Sequence, residues 1–552
     1  MASRSIRWSR ARASSIRGAV MVESRVGRGR AEVGDPTVFK RSPCRCAGLP
    51  AGIRRDAAKR RARTSAVTYT RRMPRACFAL LLVSFLAACA PDARESSDAP
   101  LDRPPNFVVV FADDLGWGDL GSYGAPVIRT PHLDRMATEG QRWTNFYVTA
   151  SVCSPSRAGL LTGRLPVRNG LYGDQVRVLF PDFVGGIQDE EITLAEALRD
   201  LGYATGMFGK WHLGDGPRYL PTRHGFDYWF GIPYSNDMMS TLPREERRAA
   251  FLDPKIEYWD VPLIRSESDE AGEIVTETLE QPADQTTITK RYAEEAVDFI
   301  RAHRDEPFFV YLPHSMPHVP LFRAPEFEGH SEAGLYGDVI EEIDWSVGRI
   351  LDTLEEEEIA GNTVVFFSSD NGPWTAFRTQ GGLAGPLREG KGMTWDGGMR
   401  VPGLFWWPGT IAPDVVTNEI GSTSDLFATF ISLSGGAVPD DRPMDSLNLA
   451  PVLRGSGEGP REEVPFYRGS ELYAYRVGNY KAHFITEGEY GLAGGRQERD
   501  PPLLYDLALD PGEQWDIAAD RPEILADVIS RALQHRAGVA VAPSEFDLRT
   551  GR

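Results

Sequence analysis

From residue 106 onward, short runs of consecutive apolar residues alternate with segments whose apolar positions recur at helical spacing. The runs are 106–111 (NFVVVF), 203–208 (YATGMF), 308–312 (FFVYL), 363–367 (TVVFF) and 403–407 (GLFWW). Near-continuous hydrophobicity of this length predicts strands covered on both faces. Between them, 193–201 (TLAEALRDL) and 288–301 carry apolar residues on one helical face. The alternation predicts an α/β domain over 106–440, built on a largely parallel sheet. Past about residue 440 the pattern shortens, with strand-like pieces at 473–477, 480–485 and 503–507 and a helix near 522–535. A smaller α+β subdomain with an antiparallel sheet is therefore expected over 441–552.

Polar residues follow several of these strands directly: Asp113 and Asp114, Lys210 and His212, His318, Asp370 and Asn371. Ligands of open α/β sheets bind outside the carboxyl ends of the strands, so these residues can converge. Two adjacent carboxylates at the end of a buried strand repel, and burying them without a counter-charge costs several kcal/mol. A divalent cation resolves both problems, and an all-oxygen donor set favours Ca²⁺ or Mg²⁺ over zinc. Each pair taken alone reads more readily as a turn than as a metal site, because Asp, Asn and Gly dominate turns.

The segment before residue 106 has a different character. Residues 1–72 hold 19 Lys and Arg against 4 Asp and Glu, leaving 42 against 74 in the remainder. They show no lasting period and read as an unstructured, over-extended gene start, with a basic transit peptide as the alternative. Met73-Pro74-Arg75 then leads into an apolar run ending at Leu86-Ala87-Ala88-Cys89. That run suits a signal peptide and is too short to span a bilayer. Its end resembles a bacterial lipobox, which implies that Cys89 is acylated and becomes the mature N-terminus. Residues 90–105 then form a tether. The expected location is periplasmic, or anchored to the outer membrane of a bacterium, with the membrane met only through the lipid. Of five cysteines (Cys44, Cys46, Cys77, Cys89, Cys153), only Cys89 and Cys153 survive such processing. A disulfide scaffold is thereby excluded. The acidic body also argues against nucleic acid as a partner.

One stretch is more specific than any of this: Cys153-Ser154-Pro155-Ser156-Arg157-Ala158-Gly159-Leu160-Leu161-Thr162-Gly163-Arg164. It resembles the signature of formylglycine-dependent sulfatases, within the alkaline-phosphatase-like superfamily, in which the Cys is oxidised to formylglycine. The resemblance runs from Asn106 to about Asp516 and is greatest to arylsulfatase A-like bacterial enzymes. Gly209-Lys210-Trp211-His212-Leu213-Gly214, Gly231-Ile232-Pro233-Tyr234-Ser235, Ser369-Asp370-Asn371-Gly372-Pro373, Gly390-Lys391-Gly392 and Tyr480-Lys481-Ala482-His483-Phe484 also carry it. It implies an α/β/α sandwich around a large, mostly parallel mixed sheet. It implies metal ligands at Asp113, Asp114, Asp370, Asn371 and the modified Cys153, with Ca²⁺ favoured and Mg²⁺ possible. Arg157, Lys210, His212, Ser235, His318 and Lys391 become the other site residues. Asn236 departs from the His of human-type members, which puts substrate fit in question.

Under that resemblance, one hydroxyl of hydrated formylglycine attacks sulfur. Lys210 and Lys391 hold the sulfate oxygens, Ser235 lies beside the substrate, and Arg157 orients the nucleophile and the ligands. His318 protonates the departing alcohol, and His212 takes a proton from the second hydroxyl so that sulfate leaves and the aldehyde returns. His314 and His224 are weaker supporting candidates; His132, His303, His330, His483 and His535 read as structural or surface residues. Tyr172, Tyr234, Trp374 and Phe377 are candidates for a sugar or aryl subsite. The implied partners are a sulfated glycan or small-molecule substrate and a formylglycine-generating enzyme. Two other functions stay open: a phosphatase or phosphodiesterase of the same superfamily, and an unmodified, non-catalytic binder of sulfated glycans.

Overall fold

The computed structural model describes residues 103–181, 183–268, 273–488 and 494–548. The expectations for residues 1–72, 73–89 and nearly all of 90–105 lie outside the described residues. Ten strands form the larger sheet: β1 (Asn106–Ala112), β2 (Gln141–Tyr147), β3 (Ala204–Phe208), β4 (Tyr228–Gly231), β5 (Leu263–Ser268), β6 (Ile274–Glu280), β7 (Phe308–Pro313), β8 (Thr363–Ser369), β9 (Arg400–Trp406) and β10 (Val415–Ser422). Their order is β10-β2-β9-β8-β1-β7-β3-β4-β5-β6.

β1 shows why these strands are continuously apolar. Successive side chains of a strand point to opposite faces. Phe107, Val109 and Phe111 enter one core, and Val108, Val110 and Ala112 enter the other. Burying each of the larger side chains stabilises the fold by about 1.5–3 kcal/mol. The first face is covered by α1 (Cys153–Thr162), α2 (Leu194–Asp200) and α3 (Asp425–Leu433), through Leu160, Leu198 and Phe430 among others. Ile288–Ala302 and Gly334–Glu356 cover the second, with Tyr292 and Ile343 in its core. The result is an α/β/α sandwich. α2 begins where its sequence predicts: Thr193 Oγ1 accepts from the Glu196 N–H at 3.1 Å, and the Glu196 carboxylate accepts from the Thr193 N–H at 2.8 Å.

The sheet is parallel at its centre, β9 pairs antiparallel with β8 and β2, β5 pairs antiparallel with β4 and β6, and the edge strand β10 runs parallel to β2. The β5–β6 hairpin left no apolar run because β6 is largely exposed. β11 (Glu463–Arg468), β12 (Glu471–Val477), β13 (Tyr480–Thr486) and β14 (Gln497–Asp506) make a separate four-stranded sheet, antiparallel throughout. The helix Pro522–Gly538 packs Leu525, Val528 and Ala532 against its Tyr475, Ala482 and Leu504.

Candidate active site

β8, β1, β7, β3 and β4 lie side by side and run parallel, so their carboxyl ends open onto one edge. The register pairs Ala112 with Ser369, which sets Asp113 and Asp114 beside Asp370 and Asn371. β3 delivers Lys210 and His212, β4 delivers Ser235, and β7 delivers His318. The chain bends sharply here: Asp114 and His212 adopt positive φ, 69° and 66°, a conformation that costs non-glycine residues energy and persists where surroundings enforce it. Gly209 must be glycine, since at φ 138° a Cβ would lie 1.9 Å from the Pro313 carbonyl oxygen.

Cys153 is the first residue of α1, a helix buried along its whole length. Its Sγ stands 3.5 Å from Asp113 Oδ1. Ligand-type atoms of Asp113, Asp114, Cys153 and His318 all lie within 4.8 Å of one another. Three cations surround the carboxylates. Lys210 Nζ donates to Asp113 Oδ2 at 2.6 Å, and Lys391 Nζ to Asp114 Oδ2 at 2.7 Å. Arg157, one helical turn from Cys153, donates through Nε to Asp370 Oδ2 at 2.9 Å and through Nη1 to the Lys210 carbonyl at 2.9 Å. Asp370 Oδ1 accepts from the Asp114 N–H at 3.2 Å. Asn371 Nδ2 donates to Asp114 Oδ1 at 2.7 Å, while its Oδ1 is buried with no hydrogen-bond partner among the described residues.

Burial raises the Asp113 carboxyl, but the pull of Lys210, Arg157 and Lys391 carries it well below the usual range. Asp114 and Asp370 are pushed up, first by burial and then by the neighbouring Asp113 charge, against Lys391 and Arg157 respectively. Three buried carboxylates here face three buried cations, and burial still pushes two of the carboxyls up. The orphaned Asn371 oxygen and the oxygens of Asp113, Asp114 and Asp370 fit a hard divalent cation, with Cys153 Sγ and His318 at the border of the same cluster. The Cys153 thiol is pushed up by burial, so an unmodified thiol stays protonated here.

The two histidines differ. His318 Nδ1 meets the Val319 carbonyl at 2.6 Å, which places the proton on Nδ1 and leaves Nε2 facing Asp114 Oδ2 (3.6 Å) and Ser235 Oγ (3.5 Å). His212 is reversed: Nε2 meets the Leu179 carbonyl at 3.0 Å, so the bare nitrogen is Nδ1, buried and without a partner among the described residues. Burial and the nearby cations keep both rings neutral.

Of the aromatic candidates, Trp374 sits at this edge: its ring centroid lies 4.4 Å from Lys391 Nζ and 5.5 Å from that of His318. Phe377 meets Trp374 edge-on at 4.8 Å. Tyr172 packs with Leu165, Val167 and Tyr467, and Tyr234 is buried in the core of the second face. His314 bonds Ser346 Oγ at 2.9 Å, and His224 stacks on Trp211. Asn236 is turned away from the cluster, donating to Gln285 Oε1 at 3.1 Å and the Pro320 carbonyl at 3.0 Å. Sequence reasoning passed over Asp237, whose carboxyl feels Lys391 and Lys210 and bonds Ser235; its place two residues after Ser235 was the only signal. It also passed over a buried knot of Lys481, Asp396 and Glu513, where Lys481 Nζ stands 2.8 Å from Asp396 Oδ1 and 3.0 Å from Glu513 Oε1. His483, expected to be structural, joins it through Nε2 at 2.7 Å from Glu513.

Comparison with known proteins agrees with this geometry. The Sulfatase family model matches residues 105–436, and that of the C-terminal region of aryl-sulfatase matches 459–550. The chain is 40% identical to arylsulfatase A of Homo sapiens over 476 residues, covering 80% of this chain and 90% of that protein. It is 38% identical to N-acetylgalactosamine-6-sulfatase of Homo sapiens over 489 residues, 82% of this chain and 89% of the other. Among solved structures, the PsFucS1 sulfatase from Pseudoalteromonas sp. superposes with a TM-score of 0.71 at 30% identity, covering 79% of this chain and 90% of that one. The chain therefore belongs to the sulfatase family, whose members hydrolyse sulfuric esters.

Proposed function

We propose that this sulfatase works through an oxidised Cys153, with a divalent cation held by Asp113, Asp114, Asp370, Asn371 and the modified Cys153 side chain. The supporting observation is the convergence of Cys153, three buried carboxylates and the unpartnered Asn371 oxygen at one sheet edge. Ca²⁺ suits the oxygen donors best. When bound, the cation supplies charge that acidifies an oxygen nucleophile and polarises a sulfate oxygen. Formylglycine, as its hydrate, supplies two hydroxyls where the buried thiol supplies none.

The remaining roles rest on this chain's own atoms. Lys210 and Lys391 can exchange a carboxylate oxygen for a sulfate oxygen and stabilise the charge that gathers there. Arg157 keeps Asp370 and the Lys210 backbone in place. His212, with Nδ1 bare and buried, is arranged to accept a proton. His318 Nε2 is bare as well; with an anionic ester beside it the ring can take up a proton from solvent and pass it to the leaving oxygen, returning to the neutral form. Ser235, 3.2 Å from Lys210 Nζ, holds the hydroxyl side of that approach.

The preferred substrates in this reading are sulfated carbohydrates or aryl and alkyl sulfates. Export, an acylated Cys89, a tether over 90–105 and a division near residue 440 complete the proposal. Among the described residues, no helix is long and apolar enough to cross a membrane. The test is to produce the protein with a formylglycine-generating enzyme and determine the mass of tryptic peptide Trp143–Arg157. Sulfate release from 4-nitrophenyl sulfate is then compared with phosphate release from 4-nitrophenyl phosphate. Unmodified Cys153 in active protein, or dominant phosphate turnover, would overturn the proposal.

A further inference from the structure

Lys391 lies in a segment, 388–399, that carries glycine at 390, 392, 397 and 398. The segment is wound so tightly that a Cβ on Gly397 would stand 2.1 Å from the Glu389 carbonyl oxygen. Glycine loses more freedom on folding than any other residue, so such a segment holds one shape only when contacts from outside impose it. On its catalytic side those contacts are made by the backbone. The Lys391 N–H donates to the Pro373 carbonyl at 2.9 Å, and the Gly392 N–H to the Ser151 carbonyl at 2.7 Å. Pro373 lies two residues after Asn371 and Ser151 two before Cys153, so the segment joins the flanks of both.

On its other side the contacts come from the C-terminal region and converge on Glu513, which is wholly buried. Glu513 Oε2 accepts from the Asp396 N–H at 2.7 Å, and its carbonyl accepts from Arg388 Nη1 at 2.8 Å. One residue thereby ties Arg388 to Asp396, with Lys391 between them in the chain. The second carboxylate oxygen, Oε1, meets Lys481 Nζ at 3.0 Å and His483 Nε2 at 2.7 Å, both from β13. The Trp395 ring packs 4.0 Å from that of His483 and 3.7 Å from the Arg388 guanidinium, centroid to centroid and carbon to centroid. Glu513 itself sits at φ 48°, a conformation that costs a non-glycine residue energy and persists where the surroundings enforce it.

Resting on the sulfatase reading above, we propose that Glu513 is a positioning residue for sulfate-ester cleavage: by tying Arg388 to Asp396 it fixes the segment that sets Lys391 Nζ at the sulfate. The C-terminal region is in this way part of the catalytic apparatus without touching the reacting atoms. A glutamine at 513 has a single acceptor oxygen and cannot serve both the Asp396 N–H and the Lys481–His483 pair.

The test is a double-mutant cycle on the full protein carrying formylglycine, with 4-nitrophenyl sulfate as substrate. Glu513→Gln should lower kcat/KM by about 100-fold, the scale for a misplacement of about 1 Å in a group that meets the reacting centre. Arg388→Met keeps an apolar contact with Trp395 and loses the bond to the Glu513 carbonyl; it should lower kcat/KM by about 10-fold. In a Lys391→Ala background both losses should shrink to about 2-fold or less, because a residue acting through Lys391 has nothing left to place. Calorimetric binding of inorganic sulfate to the same proteins gives a second cycle that needs no turnover, and it should show the same loss of effect. Urea unfolding of each variant separates placement from stability, and the half-exposed Arg388 decides the matter if Glu513→Gln does not fold. Single variants within about 2-fold of wild type, or losses that persist in full without Lys391, would overturn the proposal, since a purely structural role predicts additivity. Formylglycine-bearing wild type inert toward every sulfate ester would instead overturn the catalytic reading on which it rests.

Discussion

Arg157 Nε and Nη2 both approach Asp370 Oδ2, at 2.9 and 2.8 Å, with neither side chain exposed to solvent. Arg157 rides on α1, the helix that begins at Cys153, and Asp370 directly follows β8. This single charge-assisted contact therefore couples the position of Cys153 to that of the carboxylate cluster. Removing one partner of such a pair leaves the other buried and uncompensated.

Arg157→Ala should accordingly destabilise the fold by about 3–5 kcal/mol, measured by urea unfolding. Sulfate release should fall by at least ~100-fold. Arg157→Lys should restore little, because a lysine cannot span Asp370 and the Lys210 carbonyl with a planar fork.

Cys153→Ala should abolish sulfate release while changing unfolding free energy far less than Arg157→Ala, since only a small side chain is lost. Cys153→Ser should also fail to restore turnover, a serine offering one hydroxyl where the hydrate offers two. Activity in Cys153→Ala comparable to wild type would refute the nucleophile assignment.

Treatment with EDTA should remove activity, and Ca²⁺ should restore it better than Mg²⁺. A ligand binding only the native state at 100 times its Kd stabilises by about 2.7 kcal/mol, so the melting temperature should rise when Ca²⁺ is returned. Asn371→Ala and Asp114→Asn should blunt that rise, read by calorimetry independently of turnover.

His314 is wholly buried and its pKa is pushed down to about 3 by desolvation. The unfolded chain, with an ordinary histidine, binds a proton below about pH 6.5 that the folded chain refuses. Stability from this residue is therefore full above pH 6.5 and is lost as pH falls toward 3, by up to about 1.4 kcal/mol per pH unit. His314→Gln should flatten the unfolding free energy between pH 6.5 and 4 by roughly that slope. A mutant curve parallel to wild type would show that the ring ionises without cost.

Lys481→Met should leave Asp396 and Glu513 buried without their shared cation, at a cost of about 3–5 kcal/mol. Tyr147 also donates to Asp396 Oδ2 at 2.8 Å, and Asp396 lies five residues after Lys391 in one tight segment. The same substitution should therefore lower kcat/KM, although Lys481 itself pairs with Asp396 and Glu513 rather than with the site carboxylates.

The central strands were legible because burial on both faces leaves uninterrupted apolar runs, as in 106–111 and 363–367. The β5–β6 hairpin was not, since β6 is largely exposed and β5 only half buried, so neither needs such a run. Among site residues, Cys153 and Arg157 stood out through the family resemblance of 153–164, and the places of Lys210, His212 and His318 after strands took on meaning only with that resemblance. Asp237 had only its place two residues after Ser235 to mark it, because its charged neighbour Lys391 is distant in the chain and brought near by folding.

By itself, the sequence determined which reactive groups exist and where strands end, since periodicity and short motifs are local properties. The tertiary structure alone decided how those groups are paired and protonated. Lys210 faces Asp113 and Lys391 faces Asp114; His212 presents Nδ1 and His318 presents Nε2; Asn236 turns away while Asp237 is left with an unpartnered oxygen. Coulombic attraction and desolvation depend on separation and burial, and these are set only when distant segments pack against one another.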